Sequence, residues 1–175
     1  SHIVEFRNGE SGLHVLHIQT ITEMLLRQLV QKENNRYALS KEQIRMITTA
    51  SALHDIGKIS IPDEILNKPG RLTAEEFAVI KGHSMAGANM LSELPLDQKV
   101  FPKQKTAYEI CRWHHERYDG GGYPDGLKGE EIPVSAQVVA LADVYDALTS
   151  ERCYKDAYSH EKGHRDDTGR TVRCI

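Results

Sequence analysis

An adjacent histidine and aspartate, His54 and Asp55, are the residues of this chain whose types and spacing best suit metal chemistry. An imidazole nitrogen and a carboxylate oxygen are common ligands of divalent transition metals. Neighbouring residues on a helix point about 100° apart, so this pair can share one metal cluster only where a helix ends. Gly57 is expected to end that helix. A lone His-Asp pair is usually an ordinary surface feature, so the metal hypothesis depends on ligands elsewhere in the chain.

Further ligand-type side chains lie on predicted helices that must converge on one core. Glu10 and His14 are four residues apart and face the same side of a helix, where they can chelate. Asp143 lies in an apolar run, where an unpaired carboxylate is costly to bury and a metal ion would remove that cost. Asp146 either supports Asp143 or lies on a solvated face, and we favour the first interpretation. The histidines on predicted helices are His14, His54, His83, His114 and His115.

Helices must position these side chains, because apolar residues recur at helical spacing and no stretch alternates as a strand does. Capping boxes at Ser40 to Gln43 and at Thr73 to Glu76 open the second and third helices, and Ser135 is expected to cap the last one. The apolar residues of the first helix are Leu13, Leu16, Ile21, Met24, Leu25 and Leu29. The predicted helices cover about 10–31, 40–54, 73–94, 97–118 and 135–148.

Glycine and proline mark the segments between the helices. Residues 58–72 are predicted to be a loop with one short turn at 63–66, and the glycine-rich stretch 119–126 can be neither helix nor strand. Gly82 and the small residues 86–88 predict close contact with another helix. We therefore predict an all-α domain, a bundle of about five to seven helices around a metal cluster.

The composition argues against several other classes of protein. The chain has 175 residues, enough for one domain with a buried core, and its net charge of −3 provides no basic surface for duplex nucleic acid. Its 3 cysteines lack CxxC spacing, which favours a reducing compartment and argues against a zinc-thiolate site. No apolar run approaches the roughly 20 residues that cross a bilayer, and no signal-peptide pattern is present. A cytoplasmic protein without a membrane segment is expected.

Taken together, these motifs resemble the HD-GYP subgroup of the HD phosphohydrolase superfamily. The resemblance covers roughly residues 7–162 and divides the chain into a lead-in at 1–9, an HD-GYP domain at 10–162 and an atypical tail at 163–175. The motifs that carry it are His54-Asp55-Ile56-Gly57-Lys58, the loop from His114 to Pro124 with Gly122-Tyr123-Pro124, and Asp143-Val144-Tyr145-Asp146.

The resemblance implies two or three divalent metal ions, iron or manganese first and nickel or zinc as alternatives, and hydrolysis of cyclic di-GMP to pGpG, GMP or both. Asp55 would bridge two metals, Glu10 would be an additional ligand for a third, and Lys58 would bind the substrate phosphate. Asp55 and Lys58 would be the catalytic residues, with metal-activated water as the nucleophile. The implied metal ligands are Glu10, His14, His54, Asp55, His83, His114, His115 and Asp143.

Two features depart from the family pattern. His17 stands where many relatives have arginine, and we do not assign it as a ligand. The tail 163–175 has no apolar face, and we hypothesise a shifted reading frame near Lys162, which resequencing the DNA would test. Two alternatives stay open: a catalytically weak module that binds nucleotide or a partner protein, and a phosphohydrolase for another phosphate ester such as a different cyclic dinucleotide.

The resemblance also predicts regulatory partners. Domains of this type commonly lie behind receiver or sensory domains, and a diguanylate cyclase (GGDEF) domain could bind the glycine-rich loop. The first helix could pair with its copy in a homodimer, which crosslinking of the purified domain would test.

Overall fold

The computed structural model describes residues 12–32, 37–95 and 101–149, and within these ranges the chain is helical, without strands, as predicted. Two short 3₁₀ helices, Ile56–Ser60 and Gly129–Glu131, lie in the connections. No helix of the described ranges is long and apolar enough to cross a membrane. The α-helices are α1 Gly12–Gln31, α2 Lys41–Ser51, α3 Asp63–Leu66, α4 Ala74–Ser92, α5 Phe101–Trp113 and α6 Val134–Thr149.

The helices pack around one hydrophobic core. Helix α1 contacts α2 and α6, helix α5 contacts α2, α4 and α6, and the first 3₁₀ helix lies against α4. Five of the α-helices therefore contribute to the core, and the chain reverses repeatedly so that the ends of α2 and α5 meet beside α4. The core residues are Ile18, Leu26, Ile44, Ile47, Ala50, Ala88, Leu91, Ala107, Ile110, Cys111, Val138, Val139 and Ala142.

The capping boxes at the starts of α2 and α4 are confirmed. Ser40 Oγ accepts a hydrogen bond from the Gln43 amide at 3.1 Å, and Gln43 Oε1 accepts one from the Ser40 amide at 2.8 Å. Thr73 and Glu76 exchange the same pair of bonds at 3.2 and 2.8 Å. Each cap contributes about 1 kcal/mol to helix stability and fixes where the helix begins.

The predicted cap at Ser135 is wrong. Helix α6 begins at Val134, one residue earlier, and Ser135 is buried in its first turn. Its hydroxyl donates to Glu109 Oε2 at 3.2 Å, so the side chain ties α6 to α5 instead of capping a helix. A partly buried acceptor on a neighbouring helix has outweighed the local capping preference of serine.

Helix α1 buries a different face from the one its large apolar residues suggest. Leu13, Leu16 and Met24 are 60%, 57% and 62% exposed. The buried side chains recur every four residues, which places them on one side of the helix, and two of them are polar. They are His14, Ile18, Thr22 and Leu26.

Helices α2 and α5 end earlier than predicted. Helix α2 ends at Ser51, so His54 and Asp55 lie in a following turn, and α5 ends at Trp113, so His114 and His115 also lie beyond a helix. These pairs are therefore placed by turns, in which adjacent side chains are released from the 100° helical spacing.

Gly57 does not end α2, because it lies inside the first 3₁₀ helix and is buried. A Cβ there would be 1.9 Å from the His83 carbonyl oxygen and 2.5 Å from the Gly87 amide nitrogen, so glycine allows the two backbones to touch. The close contact predicted for the small residues of α4 is confirmed at Gly87. It is wrong at Gly82, where a Cβ would meet nothing within 4 Å.

Candidate metal centre

Seven of the eight predicted ligands converge into two groups. In each group the ligand atoms lie within 4.8 Å of one another. Glu10, the eighth predicted ligand, lies outside the described residues. We call the two sets the Asp55 group and the His14 group; they consist of Asp55, His83, His114 and His115, and of His14, His54 and Asp143.

Backbone carbonyls orient three of the histidines. In each ring Nδ1 lies within hydrogen-bond distance of a carbonyl oxygen of the preceding turn, which places a proton on Nδ1 and turns Nε2 toward the site. This is the arrangement in which imidazole binds a metal. The bonds join His54 to Ser51 at 2.9 Å, His83 to Ile80 at 2.7 Å, and His114 to Ile110 at 2.9 Å.

The three Nε2 atoms face Asp55. Those of His54 and His83 lie 3.2 Å from a carboxylate oxygen of Asp55, and that of His114 lies 3.7 Å away. None of these nitrogens, nor Asp55 Oδ1, makes a hydrogen bond within the described part of the chain. Buried polar atoms without partners are costly, so this donor set fits divalent metal ions that would satisfy all four atoms.

The electrostatics of the site centre on Asp55. Burial raises its pKa, but the charges of Lys58 and His54 outweigh burial and hold the pKa of the Asp55 carboxyl well below its usual range. Burial lowers the pKa of His54, but the Asp55 carboxylate outweighs it and raises the pKa of His54 to about 9. In His114 and His115 burial prevails and lowers the pKa. The last two rings are therefore neutral near pH 7, as metal ligands must be, whereas His54 must lose a proton.

Lys58 lies beside the carboxylate. Its Nζ is 2.8 Å from Asp55 Oδ2, and its side chain is 5% exposed. The turn of the 3₁₀ helix, rather than an α-helix, brings Lys58 back over Asp55 three residues earlier. A cation held here lies next to both ligand groups.

His14 is oriented differently from the other histidines. Its Nε2 lies 3.8 Å from Asp143 Oδ1, while its Nδ1 lies 2.6 Å from Asp146 Oδ2. Asp146 therefore supports His14, whereas the sequence predicts that it supports Asp143. His17, which was not assigned as a ligand, places its Nδ1 2.8 Å from the other Asp146 oxygen. His14 and His17 on α1, like Asp143 and Asp146 on α6, are three residues apart, so each pair lies on one face of its helix.

A loop rich in glycine forms one wall of the site. The ring of Tyr123 stacks on His115 with centroids 4.8 Å apart, and the Tyr123 amide donates to the His115 carbonyl at 3.2 Å. A Cβ at Gly122 would lie 2.3 Å from the Arg117 amide nitrogen, so only glycine lets the loop pass this close to the residues after α5. The loop shape is thus coupled to the placement of His115.

Two acidic residues that sequence reasoning missed anchor this loop. Glu116 is buried, and its Oε1 accepts from the amides of Asp125 at 2.7 Å and Gly126 at 3.0 Å. Asp125 accepts two bonds from Arg112, at 2.8 and 3.0 Å, and one from Trp113 at 2.7 Å. The loop is therefore fixed to the end of α5, which carries His114 and His115.

A family model described as HD domain matches residues 11–163 of the chain. The chain belongs to the HD-domain family. The matched range contains all seven converging side chains and the whole glycine-rich loop of this HD domain. The family resemblance predicted from the His-Asp pair and the loop is thereby confirmed.

Curated relatives of this HD domain include a probable cyclic di-GMP phosphodiesterase of Vibrio cholerae, 44% identical over 91% of this chain and 36% of the relative. The cyclic di-GMP phosphodiesterase response regulator RpfG of Xanthomonas campestris is 43% identical over 89% of this chain and 38% of its own length. A 3'3'-cGAMP-specific phosphodiesterase 2 of Vibrio cholerae is 40% identical over 91% of this chain and 28% of its own length. The chain thus spans about a third of the length of these relatives.

Proposed function

We propose that this HD domain is a metal-dependent phosphodiesterase that hydrolyses cyclic di-GMP to pGpG, GMP or both. The observation that carries the proposal is the convergence of two ligand groups at Asp55, where buried imidazole nitrogens face a carboxylate. The relatives support the substrate, since two of those described above are named cyclic di-GMP phosphodiesterases.

The Asp55 group and the His14 group would each hold one metal ion, with Asp55 shared between them. Mixed nitrogen and oxygen donors suit iron, manganese, nickel or zinc better than magnesium or calcium, and we propose iron or manganese. Such ions, when bound, lower the pKa of water and stabilise negative charge on a phosphate. Glu10 stays a predicted ligand for a third ion.

Lys58 is the residue that we propose binds the substrate phosphate. Because its ammonium is almost fully buried beside Asp55, its charge acts where the effective dielectric constant is low. It would offset the negative charge that develops on the phosphodiester oxygens as the phosphorus–oxygen bond breaks. Tyr123 stacks on His115 beside the ligand groups, and we propose that the rest of the nucleotide lies against these rings.

A different cyclic dinucleotide is the second candidate substrate. The observation that favours it is the relative named a 3'3'-cGAMP-specific phosphodiesterase, whose identity to this chain, 40%, is close to that of the relatives named for cyclic di-GMP. The two substrates differ in one base only, so the proposed metal and phosphate chemistry would serve both.

Hydrolysis of the two dinucleotides by the same metal-loaded preparation tests this proposal. With products separated by chromatography, we expect cyclic di-GMP to be cleaved faster than 3'3'-cGAMP, and Asp55→Asn to reduce both rates to background. Faster cleavage of 3'3'-cGAMP would replace the proposed substrate with the second candidate. A protein that carries metal but cleaves neither would end the proposal that this domain is a cyclic dinucleotide phosphodiesterase.

We also propose a regulatory setting. The relative named a response regulator supports a receiver domain as the input, while a sensory domain and a GGDEF domain stay predictions from the family resemblance, as does a cytoplasmic location. Exposed Leu13, Leu16 and Met24 on α1 support a homodimer through that helix. Crosslinking at increasing protein concentration tests the dimer, and a monomer at every concentration would exclude it.

A further inference from the structure

Two imidazole rings of α1 converge on one carboxylate of α6. His14 Nδ1 lies 2.6 Å from Asp146 Oδ2, and His17 Nδ1 lies 2.8 Å from Asp146 Oδ1. The Asp146 side chain is 5% exposed and that of His14 is 10% exposed, whereas the His17 side chain is 51% exposed. The contact therefore runs from the surface, through a buried carboxylate, to a member of the His14 group.

This contact distinguishes His14 from the histidines oriented by the backbone. The carbonyls that hold His54, His83 and His114 belong to their own turns and stay in place whatever side chains surround them. His14 depends instead on a side chain from a helix 132 residues away in sequence. A carboxylate behind an imidazole fixes its tautomer and makes its metal-binding nitrogen more basic.

We propose that Asp146 is a positioning residue for His14 and that His17 holds Asp146 in place, so that divalent-cation binding by the His14 group depends on both side chains. This inference rests on the proposed metal binding. It assigns roles to two residues that are not predicted metal ligands. It also means that the His14 group depends on Asp146 and the Asp55 group does not. The Asp55 group is built from histidines that Asp146 does not touch, so its affinity is independent of Asp146.

The variant Asp146→Asn tests whether only the His14 group depends on this carboxylate, with little change in side-chain shape. Its amide has one oxygen that can accept a hydrogen bond, so one of the two imidazole N–H groups would face an N–H donor. Loss of such a supporting carboxylate lowers metal affinity by about 10- to 100-fold. The Asp55 group would keep its affinity.

Titration of the metal-free chain with Mn²⁺ tests the proposal without requiring catalysis. For the wild type we expect two classes of Mn²⁺ site, and for Asp146→Asn a 10- to 100-fold weaker binding in one class alone. The matched control Glu23→Gln removes an exposed α1 carboxylate that pairs with Arg27, and it should leave both classes unchanged. Equal weakening of both classes, or no weakening, in Asp146→Asn would overturn the role of Asp146.

Turnover at increasing Mn²⁺ distinguishes positioning from a general structural role. Because the defect is in metal affinity, excess Mn²⁺ should restore the kcat of Asp146→Asn, and the KM for cyclic di-GMP should stay at the wild-type value. A kcat that stays low at saturating Mn²⁺ would contradict positioning. If the wild type binds Mn²⁺ but cleaves no cyclic dinucleotide, the proposed substrate fails, while the Mn²⁺ titration still decides this inference.

His17 supplies a test at a half-exposed position, where a substitution disturbs little buried surface. The variant His17→Asn keeps a side-chain N–H at the same number of bonds from the backbone as imidazole Nδ1, whereas His17→Ala has no donor. We expect His17→Ala to weaken one class of Mn²⁺ site several-fold and His17→Asn to restore it. Equal affinities in the two variants would overturn the role of His17.

Discussion

At the residue scale, the candidate metal centre depends on which nitrogen of each histidine carries the proton. Backbone carbonyls hold a proton of His54, His83 and His114 on Nδ1, and the Nε2 atoms, which are the nitrogens that could bind metal, then meet around Asp55. Lys58 completes this arrangement as a buried cation that touches the same carboxylate. Metal binding and phosphate binding are thus assigned to different atoms, which substitutions can separate.

Lys58→Met should lower turnover without removing the metals. Loss of one buried group that stabilises transition-state charge typically lowers kcat by about 100-fold, and methionine fills a similar volume. The measurement is kcat for cyclic di-GMP together with metal content. Lys68→Met, which removes a lysine paired with Glu76 instead, is the matched control and should behave as wild type. Full turnover in Lys58→Met would exclude Lys58 from the chemistry.

For the seven predicted ligands that the structure describes, the sequence was sufficient to predict that they meet, because the His-Asp pair, the adjacent histidines and Asp143 are of ligand types and carry a family motif. The sequence was insufficient to predict which residues hold these side chains and the glycine-rich loop in place. The contact of Asp146 with His14 depends on how α1 and α6 cross, and the burial of Glu116 depends on the path of the loop. Both are tertiary properties that residue type does not reveal.

At the element scale, the ligand pairs lie just beyond helix ends, and neighbouring elements hold them there. The 3₁₀ helix that follows Asp55 touches the backbone of α4 at Gly57, and the glycine-rich loop is fixed to the end of α5 by Asp125. The helices and their capping boxes were predictable from local signals. Their last residues were not, because contacts with other elements decide where α2 and α5 end.

Gly57→Ala should disrupt the contact between the first 3₁₀ helix and α4. The new Cβ would lie 1.9 Å from the His83 carbonyl oxygen, so the backbones must separate, at a cost of at least about 2 kcal/mol. Thermal unfolding measures the loss of stability, and Mn²⁺ titration measures the loss of metal binding by the Asp55 group. Gly82→Ala is the control on the same helix α4: its Cβ meets nothing, and we expect a gain of about 0.5–1 kcal/mol. Wild-type stability in Gly57→Ala would refute the close contact.

Asp125 should lose its bonds to Arg112 and Trp113 at acidic pH. These bonds, Arg112 first and then Trp113, lower the pKa of the Asp125 carboxyl in the folded chain. They therefore stabilise the folded chain above about pH 4, the pKa of aspartate in the unfolded chain, and this stabilisation is lost as the pH falls through the lower pKa of the folded chain. The chain has 1 tryptophan, so its fluorescence reports this bond directly. We expect a fluorescence change below about pH 4 in the wild type and none in Asp125→Asn. The control Asp119→Asn changes a carboxylate that pairs with Arg117, and it should keep the wild-type fluorescence change. The same acidic transition in Asp125→Asn would contradict this assignment.

At the scale of the whole molecule, the metal centre joins helices that are far apart in sequence. Ligands from α1 and α6 meet those that follow α2 and α5 and the one on α4, so bound metals would link most of the bundle. An all-helical bundle in which ligand-type side chains converge was predictable from periodicity and motif. Which helices pair was not, since packing between distant segments depends on side-chain shape.

Removal of metal should lower the thermal stability of the chain. A ligand that binds only the folded state at 100 times its Kd stabilises it by about 2.7 kcal/mol. We therefore expect Mn²⁺ to raise the Tm of the wild type and a chelator to reverse the rise. Glu23→Gln, which changes an exposed α1 carboxylate that pairs with Arg27, should show the same rise as the wild type. An equal rise in Asp55→Ala would mean that the stabilising metal binds elsewhere.

Metal content of protein purified without oxygen, measured with cyclic di-GMP hydrolysis by the same preparation, tests the central claim most directly. We predict two metal ions per chain, or three if Glu10 adds a site, with turnover to pGpG or GMP. Asp55→Ala should lose both metal and turnover, because its carboxylate belongs to one ligand group and lies 3.2 Å from His54 Nε2 of the other. A wild-type chain that binds no metal, or an Asp55→Ala variant that keeps full turnover, would contradict the assignment of this site.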